Sequence, residues 1–169
     1  FTGTTTAQLG VSKSISGRAW KEGDEFTFTL TAPDGTPMPD EDGKTVKVTK
    51  GETPVNFGEI TYKKAGEYKY TISENDTDIL GMTKAADVTA TVKVALNAES
   101  NQLEATVVYS NAENEKAKFV NTYKAEPLKV EAKDLFHVEK VLDGRDWNDT
   151  DTFYFTLAGE GNVPMPVET

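Results

Sequence analysis

The stretch Glu25-Phe-Thr-Phe-Thr-Leu-Thr31 puts Phe26, Phe28 and Leu30 on one side of an extended chain and Thr27 and Thr29 on the other. Strict alternation of this kind marks a strand with one face in a core and one in water. The same period of two runs from Asp87 to Leu96 through Val88, Ala90, Val92, Val94 and Leu96. Shorter segments at Thr45–Val48, Phe57–Tyr62, Glu67–Ser73, Leu103–Tyr109 and Lys118–Tyr123 read alike. Between them lie the turn clusters Pro33-Asp34-Gly35, Pro39 to Gly43 and Lys64-Ala65-Gly66. No segment carries an amphipathic helical pattern. Many short strands joined by turns predict an all-β fold, an antiparallel β-sandwich or barrel.

Upstream of the opening stretch, Val11-Ser-Lys-Ser-Ile-Ser-Gly-Arg-Ala-Trp20 returns as Val138-Glu-Lys-Val-Leu-Asp-Gly-Arg-Asp-Trp147. The offset of 127 positions (11 to 138) then aligns Asp24, Phe26, Phe28 and Leu30 with Asp151, Phe153, Phe155 and Leu157. It also aligns Pro37-Met38-Pro39 with Pro164-Met165-Pro166. The expected organisation is a tandem repeat whose second copy is incomplete. A sandwich domain would span residues 1–124, residues 125–127 would be a short and stiff junction, and residues 128–169 would form the first part of a truncated repeat. So short a second copy cannot bury a core by itself. The sequence therefore reads as a segment of a longer protein, or as one whose second copy borrows strands from another molecule.

The 169 residues carry 18 Lys plus Arg against 28 Asp plus Glu, a formal charge of −10. That balance repels phosphate backbones and anionic lipid, so neither nucleic acid nor a membrane surface is an expected partner. There is no cysteine and a single histidine, His137. Disulfides, thiolate chemistry and multi-histidine metal sites within one chain are thereby excluded, and a conventional enzyme is disfavoured. No apolar run reaches the length of a membrane helix. The acidic runs Asp40-Glu41-Asp42, Asp76–Asp78 and Asp149–Asp151 lack EF-hand spacing and read as solvated turns. Trp20 and Trp147 are expected to cap a corner of the sandwich beside Arg18 and Arg145, which could be ion-paired.

Three polar residues occupy apolar register. Lys13 follows Leu9 and Val11 and precedes Ile15; Glu74 follows Tyr68, Tyr70 and Ile72; Asn121 lies between Phe119 and Tyr123. Each is expected to point inward. Taken singly, such a lysine snorkels at an edge and such an Asn or Glu belongs to a turn. Taken together they suggest chemistry, because desolvation favours the uncharged form of an amine and of a carboxyl alike. A free amine at Lys13 could attack the side-chain amide of Asn121, with Glu74 polarising the C=O and shuttling the proton. Ammonia would leave and an isopeptide bond would remain. Folding supplies the proximity, so no cofactor is expected.

The motifs Val-x-Lys-x-Ile-x-Gly-Arg-x-Trp20, Phe57-Gly-Glu-Ile-Thr-Tyr, Gly66-Glu-Tyr-Lys-Tyr-Thr-Ile-Ser-Glu74 and Phe119-Val-Asn-Thr-Tyr123 together resemble the streptococcal pilin isopeptide-linkage domain. That resemblance covers residues 9–124 and, in the second copy, 136–166. It implies an immunoglobulin-like sandwich, Lys13 and Asn121 as the crosslinked pair, Glu74 as the catalytic carboxyl, and Lys140 as the linking lysine of the next repeat. It further implies a structural stalk module of a Gram-positive surface adhesin or pilus, extracellular and attached to the cell wall through the parent protein. Its partners would be neighbouring repeats, and a host ligand could be engaged by other domains. The alternative is an adhesin domain that itself recognises a host protein or glycan. In either case the self-reaction occurs once and is not enzymatic turnover.

Overall fold

The computed structural model describes residues 3–125, 136–161, 163 and 165. In chain order its strands are β1 (Thr5–Ala7), β2 (Gly10–Ser16), β3 (Glu25–Thr31), β4 (Thr45–Thr49), β5 (Val55–Asn56) and β6 (Ile60–Tyr62). They continue as β7 (Gly66–Glu74), β8 (Met82–Thr83), β9 (Val88–Asn97), β10 (Gln102–Tyr109), β11 (Ala112–Glu113) and β12 (Lys116–Tyr123). One short 3-10 turn, Glu41–Lys44, falls in the acidic loop. Every strand anticipated from alternation is present within a residue or two, except that Phe57–Tyr62 is broken. Val55–Asn56 and Ile60–Tyr62 join different sheets, and Phe57, between them, is buried with its N–H on the Leu9 carbonyl. Strands β1, β8 and β11 are two or three residues long, too short for alternation to reveal.

The chain divides into two units, Phe1–Glu126 and Pro127–Thr169. In the first, one sheet has the order β10-β9-β7-β3-β4, and the other runs β11-β12-β2-β5 with β8 beside β12. A two-stranded ladder pairs β1 with β6. Phe26, Phe28 and Leu30 of β3, Ile72 of β7 and Val92 of β9 face Val11, Ala117 and Phe119 of the other sheet in one buried core. Each large side chain withdrawn from water in this way contributes about 1.5–3 kcal/mol.

Among the described residues all ladders are antiparallel save one. Strand β2 runs parallel to β12, with Lys13 opposite Phe119 and Ile15 opposite Asn121. A parallel pair cannot be closed by a hairpin, and here the connection is nearly the whole unit. Two glycines guard the end of this pair. Gly17 (φ 91°) lies so close to β12 that a Cβ would stand 2.1 Å from the Tyr123 carbonyl oxygen. At Gly81 (φ 78°) it would stand 2.4 Å from that of Lys124. Any side chain at either position would push the strand end away.

A corner links β2 to β3. Arg18 grips both oxygens of Asp24 at 2.7 and 2.9 Å, the Lys21 N–H donates to the same carboxylate, and Trp20 meets Phe26 edge-on at 5.4 Å. The hydrogen bonds from Arg18 hold the Asp24 carboxyl below its ordinary range, against the cost of burial. A carboxylate lowered in the folded state stabilises it above the ordinary Asp value of about 3.9, and that stability fades as the pH falls through the lower folded value. Asp24→Asn is therefore expected to cost about 3 kcal/mol at neutral pH. It should also remove this part of the acid dependence, both read from urea unfolding across a pH series.

The second unit repeats that corner without a sheet. Arg145 holds both oxygens of Asp151 at 2.7 Å, Asn148 N–H donates to the same carboxylate, and Trp147 meets Phe153 edge-on at 5.5 Å. No strand occurs among its described residues. Phe136, Val138, Phe153, Phe155 and Leu157 are all more than two-fifths exposed. The expected opening strands of the second copy are thus not formed. Copies of β2 and β3 belong to different sheets and do not pair with each other. The junction beyond Ala125, residues 128–135, and Pro164 and Pro166 of the repeated Pro-Met-Pro lie outside the described residues.

Candidate functional site

Along the interior face of the parallel pair, Val11, Lys13 and Ile15 of β2 lie beside Ala117, Phe119 and Asn121 of β12. Lys13 and Asn121 are therefore diagonal neighbours pointing the same way. Glu74 arrives from the facing sheet as the last residue of β7, directly opposite Phe28. The three side chains are at most 2% exposed. The sandwich brings them to one point from sequence separations of 47 and 61 residues.

One carboxyl serves both partners. Lys13 Nζ donates to Glu74 Oε2 at 2.9 Å, and Asn121 Nδ2 donates to Glu74 Oε1 at 2.5 Å. The amide oxygen is taken elsewhere, by the main-chain N–H of Ala85 at 2.9 Å. A main-chain N–H can only donate, so this contact fixes which end of the amide is oxygen. It also corrects the sequence expectation in one respect. Glu74 lies on the nitrogen that would leave, and the C=O is polarised by the backbone.

The surroundings are apolar. Lys13 Nζ lies 4.5 Å from the centre of the Phe26 ring and 6.0 Å from that of Phe28, which packs edge-on against Phe119. Burial pushes the Lys13 amine down from the ordinary lysine range, opposed by the hydrogen bond and charge of Glu74. Passing one proton along the Nζ–Oε2 hydrogen bond leaves an amine with a free lone pair beside the amide. Lys13 is further fixed by its main-chain N–H, which donates to Thr53 Oγ1 at 3.0 Å.

Lys140 keeps the local part of this arrangement, its Nζ 4.7 Å from the Phe153 ring centre as Lys13 is from Phe26. It is exposed, and its amine donates to the neighbouring Val141 carbonyl. No glutamate or asparagine side chain is hydrogen-bonded to it among the described residues. None of those residues forms a cluster of three or more acidic or histidine side chains able to hold a metal. No helix among them is long and apolar enough to cross a membrane. Ala85 had no signature in the sequence, because a donor supplied by the backbone has no side-chain pattern. It lies in the loop just after β8, a strand only two residues long.

Residues 9–124 match the FctA family, described as a Spy0128-like isopeptide containing domain. Among solved structures, the major pilin T-13 of Streptococcus pyogenes is 21% identical, over 73% of this chain and 55% of that one, with a TM-score of 0.48. A second major pilin structure from Streptococcus pyogenes is 17% identical, over 73% of this chain and 51% of that one, with a TM-score of 0.40. A mutant of a Streptococcus pyogenes major pilin is 18% identical, over 72% and 51%, with a TM-score of 0.43. The chain thus spans about half the length of these pilins. No curated protein matches it.

Proposed function

This chain belongs to the FctA family of Spy0128-like isopeptide containing domains, and from that premise we propose that its first unit is a structural module that crosslinks itself once, joining Lys13 to Asn121. The observation that carries this reading is the single buried carboxyl holding the amine on one oxygen and the amide on the other. The uncharged Lys13 amine attacks Asn121 Cγ, forming the N–C bond. Glu74 takes a proton from Nζ and gives one to Nδ2, the Cγ–Nδ2 bond breaks, and ammonia leaves. Glu74 ends as it began, and the enzyme-like chemistry stops after one event because both reactants are consumed.

The use of such a bond is mechanical. A pull applied through the two ends of β2 and β12 loads a parallel pair in shear. A covalent tie between them carries that load before the sheets do. This suits a stalk or pilus module displayed outside a Gram-positive cell, immunoglobulin-like in fold, held to the wall through the longer parent protein. The tandem-repeat reading is supported by the corner at Arg145, Trp147 and Asp151, which matches that at Arg18, Trp20 and Asp24 contact for contact. In this reading Lys140 corresponds to Lys13.

The test is the intact mass of the purified chain. The expected value is one ammonia below the plain sequence sum, with tandem mass spectrometry placing the branch between the peptides that contain Lys13 and Asn121. A mass equal to the full sum after prolonged incubation of the folded chain overturns the proposal.

A further inference from the structure

We infer that the main-chain N–H of Ala85 is the oxyanion donor of the linkage reaction, and that Lys84 is the residue that positions it. The inference rests on the crosslinking reading above and adds to it the group that stabilises the charge the reaction creates.

When Nζ bonds to Cγ, the electron pair of the C=O moves onto Oδ1, which becomes an alkoxide before the C=O re-forms and Nδ2 departs. Each oxygen of Glu74 is already engaged, Oε2 by the attacking amine and Oε1 by the leaving nitrogen. The Ala85 N–H, 2.9 Å from Oδ1, is the donor the structure directs at that oxygen. A fixed donor in a water-poor site gains strength as charge develops on its acceptor, so it lowers the barrier more than it stabilises the starting amide. Asn121 is wholly buried, and Ala85 itself packs against the core.

The loop that carries the donor is tied on two sides. Strand β8 pairs with β12 through Met82 opposite Tyr123 and Thr83 opposite Thr122, next to the reacting Asn121. On the other side Lys84 Nζ donates to the Glu74 main-chain carbonyl at 3.2 Å and to Asp76 at 2.6 Å. Lys84 thereby ties the residue before the donor to the residue that carries the proton shuttle. Its own side chain does not touch the reacting atoms.

The test uses the full chain assembled by segment ligation in denaturant, so that it is unlinked at the start, then folded by dilution and followed by intact mass. Replacing the Ala85 amide by an ester (Ala85→lactic acid) removes the N–H and little else. The loss of ammonia is expected to slow by about 10²–10³-fold. The same ester in a Lys13→Met chain, which cannot link, reads the value of the bond in the resting state. Only a small change in melting temperature is expected there, whereas a purely structural role would put the whole effect in this chain. Lys84→Met is expected to slow linkage by roughly tenfold, with Lys84→Arg, which can donate to both acceptors, restoring it. An ester chain that links within threefold of the parent overturns the inference. Should that chain not fold, an unchanged rate in Lys84→Met overturns it instead. A parent chain that never loses ammonia defeats the underlying crosslink, an outcome distinct from either.

Discussion

Lys13→Met is expected to weigh the plain sequence sum for that variant, with no ammonia missing, and to melt roughly 20 °C below the parent chain. Met matches the length of the lysine stem, so the core beside Phe26 and Phe28 stays filled and little is lost to a cavity. What disappears is the covalent closure of a loop of about a hundred residues, worth ~5 kcal/mol on the loop-entropy account. A domain of this size shifts its melting temperature by about 4 °C per kcal/mol, which gives the figure above. Calorimetry alongside intact mass checks both halves. An unlinked Lys13→Met that melted within a few degrees of a linked parent would show that the bond contributes little to stability.

The second large effect is expected from Glu74→Gln. Gln keeps the size of the side chain and loses the ability to take a proton from Nζ and return it to Nδ2. The loss of general acid–base assistance slows linkage by about 10²–10⁴-fold, so the variant should be isolated at full mass. It also leaves an amine buried with no acid beside it. Desolvation lowers the Lys13 amine from its ordinary range, and the Glu74 contacts that oppose the lowering are gone. Where the folded state binds its proton more weakly than the unfolded chain, the unfolded chain carries more protons and stability rises with pH. The Glu74→Gln variant is thus expected to gain stability as the pH rises from the lowered folded value toward about pH 10.4, the ordinary lysine value, in urea titrations. A flat profile over that interval would show that Lys13 had found another partner or reached water.

Much of this was legible in the sequence because it depends on alternation. Lys13, Glu74 and Asn121 could be read as inward-facing since each continues a period-two series of apolar residues. The sandwich carries them inward for the same reason that it carries Val11, Ile72 and Phe119. The pairing partners were less accessible. Nothing in a strand's own pattern says that β2 lies parallel to β12, because that follows from the path of the whole chain. The break at Phe57 was hidden for a similar reason: its ring is buried, so the apolar pattern runs on although the backbone leaves one sheet for another. The Ala85 donor is the extreme case, a main-chain group placed by a two-residue strand and a lysine clamp. The second unit marks the opposite limit. Its Arg145–Asp151 corner forms from residues six apart, whereas the strands flanking it need neighbours that are far away in sequence.

The parallel alignment of the first and last long strands also changes what a broken peptide bond would mean. With Lys13 joined to Asn121, everything from β3 to β11 becomes the circumference of a ring, and the residues before Lys13 and after Asn121 lie outside it. A protease that cuts a loop on that circumference opens the ring without parting the chain, since the remaining path still connects the two tails. Under the crosslinking proposal a single cut in that ring therefore leaves the first unit one continuous covalent thread.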